Sequence, residues 1–483
     1  MDNEPAIIAG SLPMSKSENQ LQPDALGLLA TAALTAAYMA PATSIYALFG
    51  PMVSQAGVAI GFVMLLGLLM TLPSAVSFGM LAKELPLAGG VYSWASRSLG
   101  HSVGTWVGLT TASYYVLTVF FPPIVFGQFF NELLPVFHVT PNKWTWLIGA
   151  VTSLVVTGGV TYRGIVVSSR LAFTMLITEL AVVVALGLTF LVVAIAQARF
   201  SWDPLLPTAA RNGGSGITLA LPLALLAMTC DAATPAAEET RNARRTIPQA
   251  VVITCVLIGA WYVVGFSAFA LAAPREELFS LVADPNINPI APLARRVWGR
   301  FDLLVTITGM TASIGALIPC STAASRVLFA MGRDGNLPRW LGIVNPRSKA
   351  PCNALHVVYL ATLGGVIPAA LVIGATPTIT WWSNIFGWYI AVVYFFANLS
   401  NLVYYRRYLR HQFHFSWNFL VPVIGIGAQL LVIWQLVVKE MWKDWFGRSG
   451  QIFIVAAMLM TVAYVCLSRG RRAPGDSPRL GGT

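Results

Sequence analysis

Charge is what this 483-residue chain has least of: Asp, Glu, Lys and Arg together make up 10% of it. A soluble domain carries about a quarter, so this chain cannot cover a water-facing surface, and lipid must be part of its solvent. Cysteine is scarce too. The five (Cys230, Cys255, Cys320, Cys352 and Cys466) are odd in number, show no CxxC spacing and mostly lie in apolar runs. They read as small buried hydrophobes, and neither a disulfide framework nor a metal site is expected. Histidine is as rare: His101, His138, His356, His411 and His414 form no HExxH motif. The expected catalytic and metal residues are therefore none, and a membrane-embedded enzyme is a remote reading. The first 24 residues are polar and mildly acidic, without a basic segment leading into an apolar core, so no signal peptide is expected.

Hydrophobic residues fill the space that charge leaves, at 56% of the chain with a mean hydropathy of +0.70. A membrane helix needs about 20 apolar residues. Such runs occur at residues 26–50, 58–82, 103–130, 144–161, 171–195, 216–237, 248–272, 302–331, 353–373, 380–404, 418–438 and 450–468. The expected fold is thus an all-α integral membrane protein of about twelve transmembrane helices. Twelve spans put both termini on one side. With the N-terminus cytoplasmic, 20 of the 30 Lys and Arg fall on the cytoplasmic side, which predicts cytoplasmic termini. The same bias explains the net charge of +11 without an acidic partner, because the basic residues sit in short loops and form no nucleic-acid face. Membrane lipid and a small-molecule substrate are the expected partners, no nucleic acid is expected, and nothing sets an oligomeric state. A bacterial inner (plasma) membrane is the default location. The longest outer loop, about 273–301, reads as a connector, with a cap over the pathway as the alternative.

Two spans carry proline among small polar residues. The first holds Ala40-Pro41-Ala42-Thr43-Ser44-Ile45-Tyr46, the sixth Thr229-Cys230-Asp231-Ala232-Ala233-Thr234-Pro235. Proline removes a donor and clashes with the preceding turn, and in hydrocarbon broken backbone survives only where protein or a wet cavity satisfies it. Interrupted helices at corresponding places in two halves point to a transport site; ordinary proline kinks are the bland alternative. Exposed amides at such a break suit a carboxylate, and free carbonyls suit an amine or cation.

Of the 19 acidic residues, only Glu179 and Asp231 fall inside spans, about 13 and 15 Å from the cytoplasmic end at 1.5 Å per residue. A charge there costs about 2.5–3.5 kcal/mol on insertion scales, so such residues usually mark a pathway or a relay. A carboxyl removed from water without a cationic partner is costly to ionise, which makes Glu179 a proton-coupling candidate. The alternative is an acid held permanently neutral by a neighbouring helix.

Three further stretches carry a family resemblance. Glu84-Leu85-Pro86-Leu87-Ala88-Gly89-Gly90-Val91-Tyr92 follows the second span, and Glu238-Glu239-Thr240-Arg241-Asn242-Ala243-Arg244-Arg245-Thr246-Ile247-Pro248 follows the sixth. Ser325 to Pro338, with Ala350-Pro351 beyond it, ends the eighth. In this order and spacing the chain resembles amino acid–polyamine–organocation (APC) permeases from about residue 26 to 468. The resemblance implies a leucine-transporter-type core with substrate held between broken first and sixth helices. That core would span 26–404 as two inverted five-helix repeats, 26–195 and 216–404. A tail at 1–25, two additional spans at 405–468 and a tail at 469–483 would flank it. It implies a substrate site at Ala42, Thr43, Ser44, Ile45, Thr229, Cys230 and Asp231. Ala42 and Ser44 replace first-span glycines, and Thr229 and Cys230 replace a sixth-span glycine and aromatic, so approach to the backbone is more restricted. Glu179 matches the position of a lysine in proton-coupled relatives. Thr308, Thr311 and Ser313 are the candidate sodium-site hydroxyls. Glu238 and Glu239 beside Arg241, Arg244 and Arg245 read as a candidate cytoplasmic gate, although exposed pairs usually contribute little.

The expected function is secondary active transport of an amino acid or related amine by alternating access, without an organic cofactor and coupled to protons. An exchanger or sodium symporter is the alternative within that class. A channel or receptor would show rings of like charge or large soluble regions, and neither is present.

Overall fold

In the computed structural model, residues 20–283, 288–436 and 445–470 are described, and no strand occurs among them. Most of the two expected tails, residues 1–19 and 471–483, lies outside the described residues. The helices run α1 (Leu28–Met39), α2 (Pro41–Ala56), α3 (Ile60–Glu84), α4 (Val91–Ser98), α5 (His101–Thr118), α6 (Phe121–Leu133), α7 (Lys143–Thr161), α8 (Ile165–Ala196) and α9 (Gly213–Ala227). They continue as α10 (Ala243–Ala270), α11 (Arg275–Leu281), α12 (Ile290–Trp298), α13 (Leu303–Arg333), α14 (Cys352–Ile373), α15 (Ala375–Tyr408), α16 (Val421–Ile433) and α17 (Trp445–Gly470). Among the described residues, 11 helical segments are long and apolar enough to cross a membrane. The sixth predicted span is not one of them: its helix α9 has only 15 residues because it stops at a break.

Three details depart from the sequence reading. The third span is two helices, α5 and α6, joined at Val119-Phe120 just before Pro122 and Pro123. Prolines suit a first turn, where their missing N–H has no intrahelical partner anyway. The segment after Gly90 forms the short helix α4. The long loop folds into α11 and α12, which bury Leu278, Ile290, Leu293 and Ala294, and is therefore more than a connector.

Helix packing follows an exchange of spans one to five with six to ten. α1 packs on α8 as α9 packs on α15, α1 on α10 as α9 on α3, α13 on α8 as α5 on α15, and α6 on α7 as α13 on α14. Two isolated bridges sit at exchanged positions, Leu26 with Thr240 (parallel) at one end of the bundle and Gly57 with Ala210 (antiparallel) at the other. Five is odd, so a span and its counterpart five later run in opposite directions. α16 lies against α15 and α3, where a Cβ on Gly425 would meet Asn398 Oδ1 at 2.5 Å.

The first break is built from one strained residue. Ala40 adopts φ 53° and ψ 64°, a left-handed conformation that costs an L-residue about 1–2 kcal/mol. Ala40→Gly is accordingly expected to raise stability by up to about 1 kcal/mol. Ala40→Val, buried and β-branched, is expected to lower it by about 2 kcal/mol. Melting temperatures in detergent check both.

Candidate functional site

At the first break the chain restarts at Pro41, and the orphaned groups find partners from three helices. Met39 O accepts the Tyr262 hydroxyl and Ser44 Oγ (2.9 Å), while the Ala40 N–H reaches Ala36 O and Ala37 O. Ser44 N to Ala40 O (2.8 Å) is the first bond of α2, whose N-terminus has no side-chain cap. The amides of Ala42 and Thr43 before it are those a helix start leaves without an intrahelical partner. Thr43 Oγ1 is buried with no partner at all.

The second break is longer: residues 228–236 run without helix from α9 to a single 3-10 turn at Ala237–Glu239. Thr229 Oγ1 donates to Leu226 O (3.1 Å), and the Cys230 N–H to the Tyr394 hydroxyl (3.3 Å). Asp231 is wholly buried and held by three phenols. Tyr114 donates to Oδ1 at 2.8 Å, Tyr394 to the same oxygen at 3.1 Å, and Tyr115 to Oδ2 at 2.6 Å. That is a solvation shell for an anion assembled from α5 and α15.

A small cavity of about 30 Å³ lies where the breaks meet, lined by the buried Tyr38 and Ser44, Leu226 and Thr229, Thr118, Cys320 and Trp382. Its aromatic wall is a run of stacked rings: Phe121 on Trp382 (5.3 Å between centroids), Trp382 on Phe386 (4.8 Å) and Phe386 on Tyr114 (5.3 Å). The Trp382 indole N–H fixes this wall to Leu117 O (3.0 Å) at the α5–α6 break. A second, larger cavity of about 660 Å³ opens at the far end of the bundle, between α2, α6, α7, the start of α15 and the loop residues Val282, Asn288 and Pro289.

The end carrying Leu26 and Thr240 is closed by charge. Glu239 and Arg326 form a buried two-point pair (2.8 and 3.2 Å), and Glu238 and Arg333 a part-exposed one (2.9 and 3.0 Å). Glu238 also accepts the Ala88 N–H (3.1 Å), which ties the loop after α3 to this latch. Tyr92 donates to Asp334 (2.9 Å) from the same motif.

The candidate residues from the sequence divide accordingly. Ser44 and Thr229 line the small cavity, with Ala42, Thr43 and Ile45 buried on the same turns of α2. Cys230 and Asp231 stand behind the wall, outside the lining. Glu179 is buried on α8 with Oε2 unpartnered, within electrostatic reach of the Tyr46 and Tyr262 hydroxyls beside the first break. The expected partnering of Glu238 and Glu239 with Arg241 and Arg244 is corrected. Asn242 turns the chain left-handed (φ 47°), Arg244 is exposed, and Arg241 binds Asp24 O (2.7 Å), so α13 supplies both arginines of the latch. Thr308, Thr311 and Ser313 each donate to their own helix, at Leu304 O, Thr308 O and Gly309 O. From α13 it is Ala316 and Cys320 that reach the cavity.

Sequence reasoning missed Tyr38, Tyr114, Tyr115, Tyr394 and Trp382. A signal was present, since a tyrosine hydroxyl deep in an apolar run needs a partner and Asp231 needed donors.

The amino acid permease family model matches residues 26–467. The branched-chain amino acid permease BcaP of Lactococcus lactis is 25% identical over 419 residues, covering 82% of this chain and 86% of the relative. The low-affinity putrescine importer PlaP of Escherichia coli is 22% identical over 427 residues, covering 83% and 84%. The methylthioribose transporter of Bacillus subtilis is 24% identical over 295 residues, covering 58% and 60%.

Proposed function

The chain belongs to the amino acid permease family, and on that premise we propose that it carries one amine-bearing solute per cycle by alternating access, coupled to a proton. It is an integral membrane transporter for amino acids or amines, and not an enzyme. One observation carries alternating access. The two broken spans meet at a small cavity of about 30 Å³ lined by buried residues, with a 660 Å³ vestibule on one side and an ion-paired latch on the other. That is the layout of a carrier held shut at the latch end.

In this reading the basic, latched face is cytoplasmic, with both termini, and the vestibule faces outward from a bacterial inner membrane. The exchange pattern of helix packing supports repeats at 26–195 and 216–404, rocking against each other about the cavity. Spans 405–468 brace them from outside, and 1–25 and 469–483 are tails. The unpartnered amides of Ala42 and Thr43, with the Thr43 hydroxyl and the α2 dipole, suit a carboxylate; the sixth-span end suits an amine. A branched-chain amino acid permease and a putrescine importer among the relatives share a substrate amine, which favours Asp231 as the charge behind recognition. Glu179, unpartnered beside the first break, is the proton-coupling residue. Thr308, Thr311 and Ser313 donate their hydroxyl protons to their own helix, which leaves oxygen lone pairs for a cation, so sodium is the alternative coupling ion.

Purified protein in sodium-free proteoliposomes, alkaline inside, is expected to accumulate one of labelled L-valine, L-alanine or putrescine. A protonophore should abolish the accumulation. Uptake that needs sodium, or a counter-substrate inside, would replace the proton reading with symport on sodium or with exchange. No uptake of any amine would remove the substrate class.

A further inference from the structure

The carboxylate that gives the sixth span its charge does not reach the cavity. Asp231 is fully buried, and its two oxygens already accept from Tyr114, Tyr394 and Tyr115. Tyr38 does line the cavity, and its hydroxyl donates to the Tyr114 oxygen at 3.2 Å, which in turn donates to Asp231. The proton of Tyr38 is thereby committed away from the cavity. The other three hydroxyls in the lining behave alike. Ser44 donates to Met39 O (2.9 Å), Thr118 to Tyr115 O (2.6 Å) and Thr229 to Leu226 O (3.1 Å). Four residues lining one small space carry hydroxyls whose protons are spent elsewhere, so toward a ligand those oxygens can only accept.

We propose that this acceptor-only cage receives the substrate's ammonium group, with Tyr38 as the contacting residue and Asp231 as a positioning charge acting through Tyr114. An ammonium brings three donors and no acceptor, the complement of such a cage. A hydrogen-bond chain ending on a carboxylate polarises each hydroxyl along it, so the outermost oxygen, on Tyr38, accepts more strongly than an isolated phenol. The negative charge stays solvated by phenols when the cavity is empty, and no buried carboxylate is left bare between turnovers. A hydroxyl in place of the ammonium brings one donor and two lone pairs that would face the lone pairs of the cage. The proposal rests on the reading of an amine-bearing solute in this cavity.

The test is ligand binding to purified full-length protein in detergent. L-valine and putrescine serve as amine probes, and 2-hydroxy-3-methylbutanoate as the hydroxy counterpart of valine. Wild type is expected to bind an amine probe and to reject the hydroxy acid. Tyr38→Phe should weaken amine binding about 10- to 100-fold, the loss of a hydrogen bond to a charged group. It should narrow the amine-over-hydroxyl preference and leave the melting temperature of the empty protein within a few degrees. Asp231→Asn should lose a similar factor, and the double variant no more than the worse single one. If Asp231→Asn cost as much in the Tyr38→Phe background as in wild type, Asp231 would contact the ligand independently and the relay would be wrong. Amine binding by Tyr38→Phe equal to wild type would overturn it as well. Thr118→Val carries the same prediction through a second cage oxygen should Tyr38→Phe fold poorly. Wild type that binds no amine probe would instead sink the substrate class, a result distinct from an unequal double variant.

Discussion

Arg326→Ala is expected to destabilise the latched state by about 3–5 kcal/mol, the usual cost of stripping one partner from a buried ion pair. Glu239 and Arg326 are both nearly inaccessible to solvent, and each of the two contacts between them is a charge-assisted hydrogen bond. Without the guanidinium, the Glu239 carboxylate has neither water nor a counter-charge. Opening the latched end to let water in is the response that relieves it. Arg333→Ala makes the contrast, because the Glu238–Arg333 pair is part-exposed and such pairs contribute about 1 kcal/mol or less. Two measurements separate the variants: melting temperature in detergent, and the rate at which a cysteine placed at Leu26 reacts with a water-soluble maleimide. Arg326→Ala should lower the first sharply and speed the second, with Arg333→Ala close to wild type in both. The double variant Glu239→Gln/Arg326→Gln leaves no buried charge and should recover much of the melting temperature while the latched end stays loose. Equal effects of the two arginine variants would show that burial does not decide what this latch is worth.

How far these features were legible in the sequence depends on the range of the physics behind them. The spans follow from local hydropathy. Both helix breaks follow from Pro41 and Pro235 amid small polar residues, because backbone satisfaction in hydrocarbon is a local demand. Glu179 and Asp231 stood out for the same reason. Partner choice was not legible. Glu239 lies two residues from Arg241 yet pairs with Arg326, 87 residues away, since a left-handed Asn242 turns the nearer arginines outward. The phenols around Asp231 come from positions 114, 115 and 394, and no short window shows that α5 and α15 converge on the sixth span. The split of the third span had a visible cue in Phe121-Pro122-Pro123, but a proline pair within an apolar run fits a kink as well as a restart. The backbone distinguishes the two: Val119 and Phe120 N–H bond three residues back, to Val116 O and Leu117 O, and Leu117 O also accepts the Trp382 indole N–H.

Glu179→Gln is expected to make uptake indifferent to external pH while leaving substrate exchange intact. The carboxyl sits on α8, which packs against both halves of the broken first span, and Tyr262 donates to Met39 O at that break. An ionised Glu179 competes with a substrate carboxylate for the positive end of α2, and a proton on Glu179 removes that competition. Substrate and proton therefore enter together, and uptake in wild type rises as external pH falls. Each pH unit above the pKa of a titrating group removes about tenfold of its protonated form, so a single essential proton gives a steep alkaline limb. Glutamine is a fixed mimic of the protonated acid. It should keep the cavity occupied and exchange running at every pH, but it has no proton to release inside, so accumulation against a gradient should be lost. Glu179→Asp, which keeps a titratable group on a shorter arm, should retain the pH limb at reduced rate. Initial uptake rates in proteoliposomes between pH 5 and 8, with counterflow as the exchange control, decide the matter. A glutamine variant with the wild-type pH profile would reduce Glu179 to a packing acid and move the search for the coupling group to the carboxylate that three phenols hold at the other break.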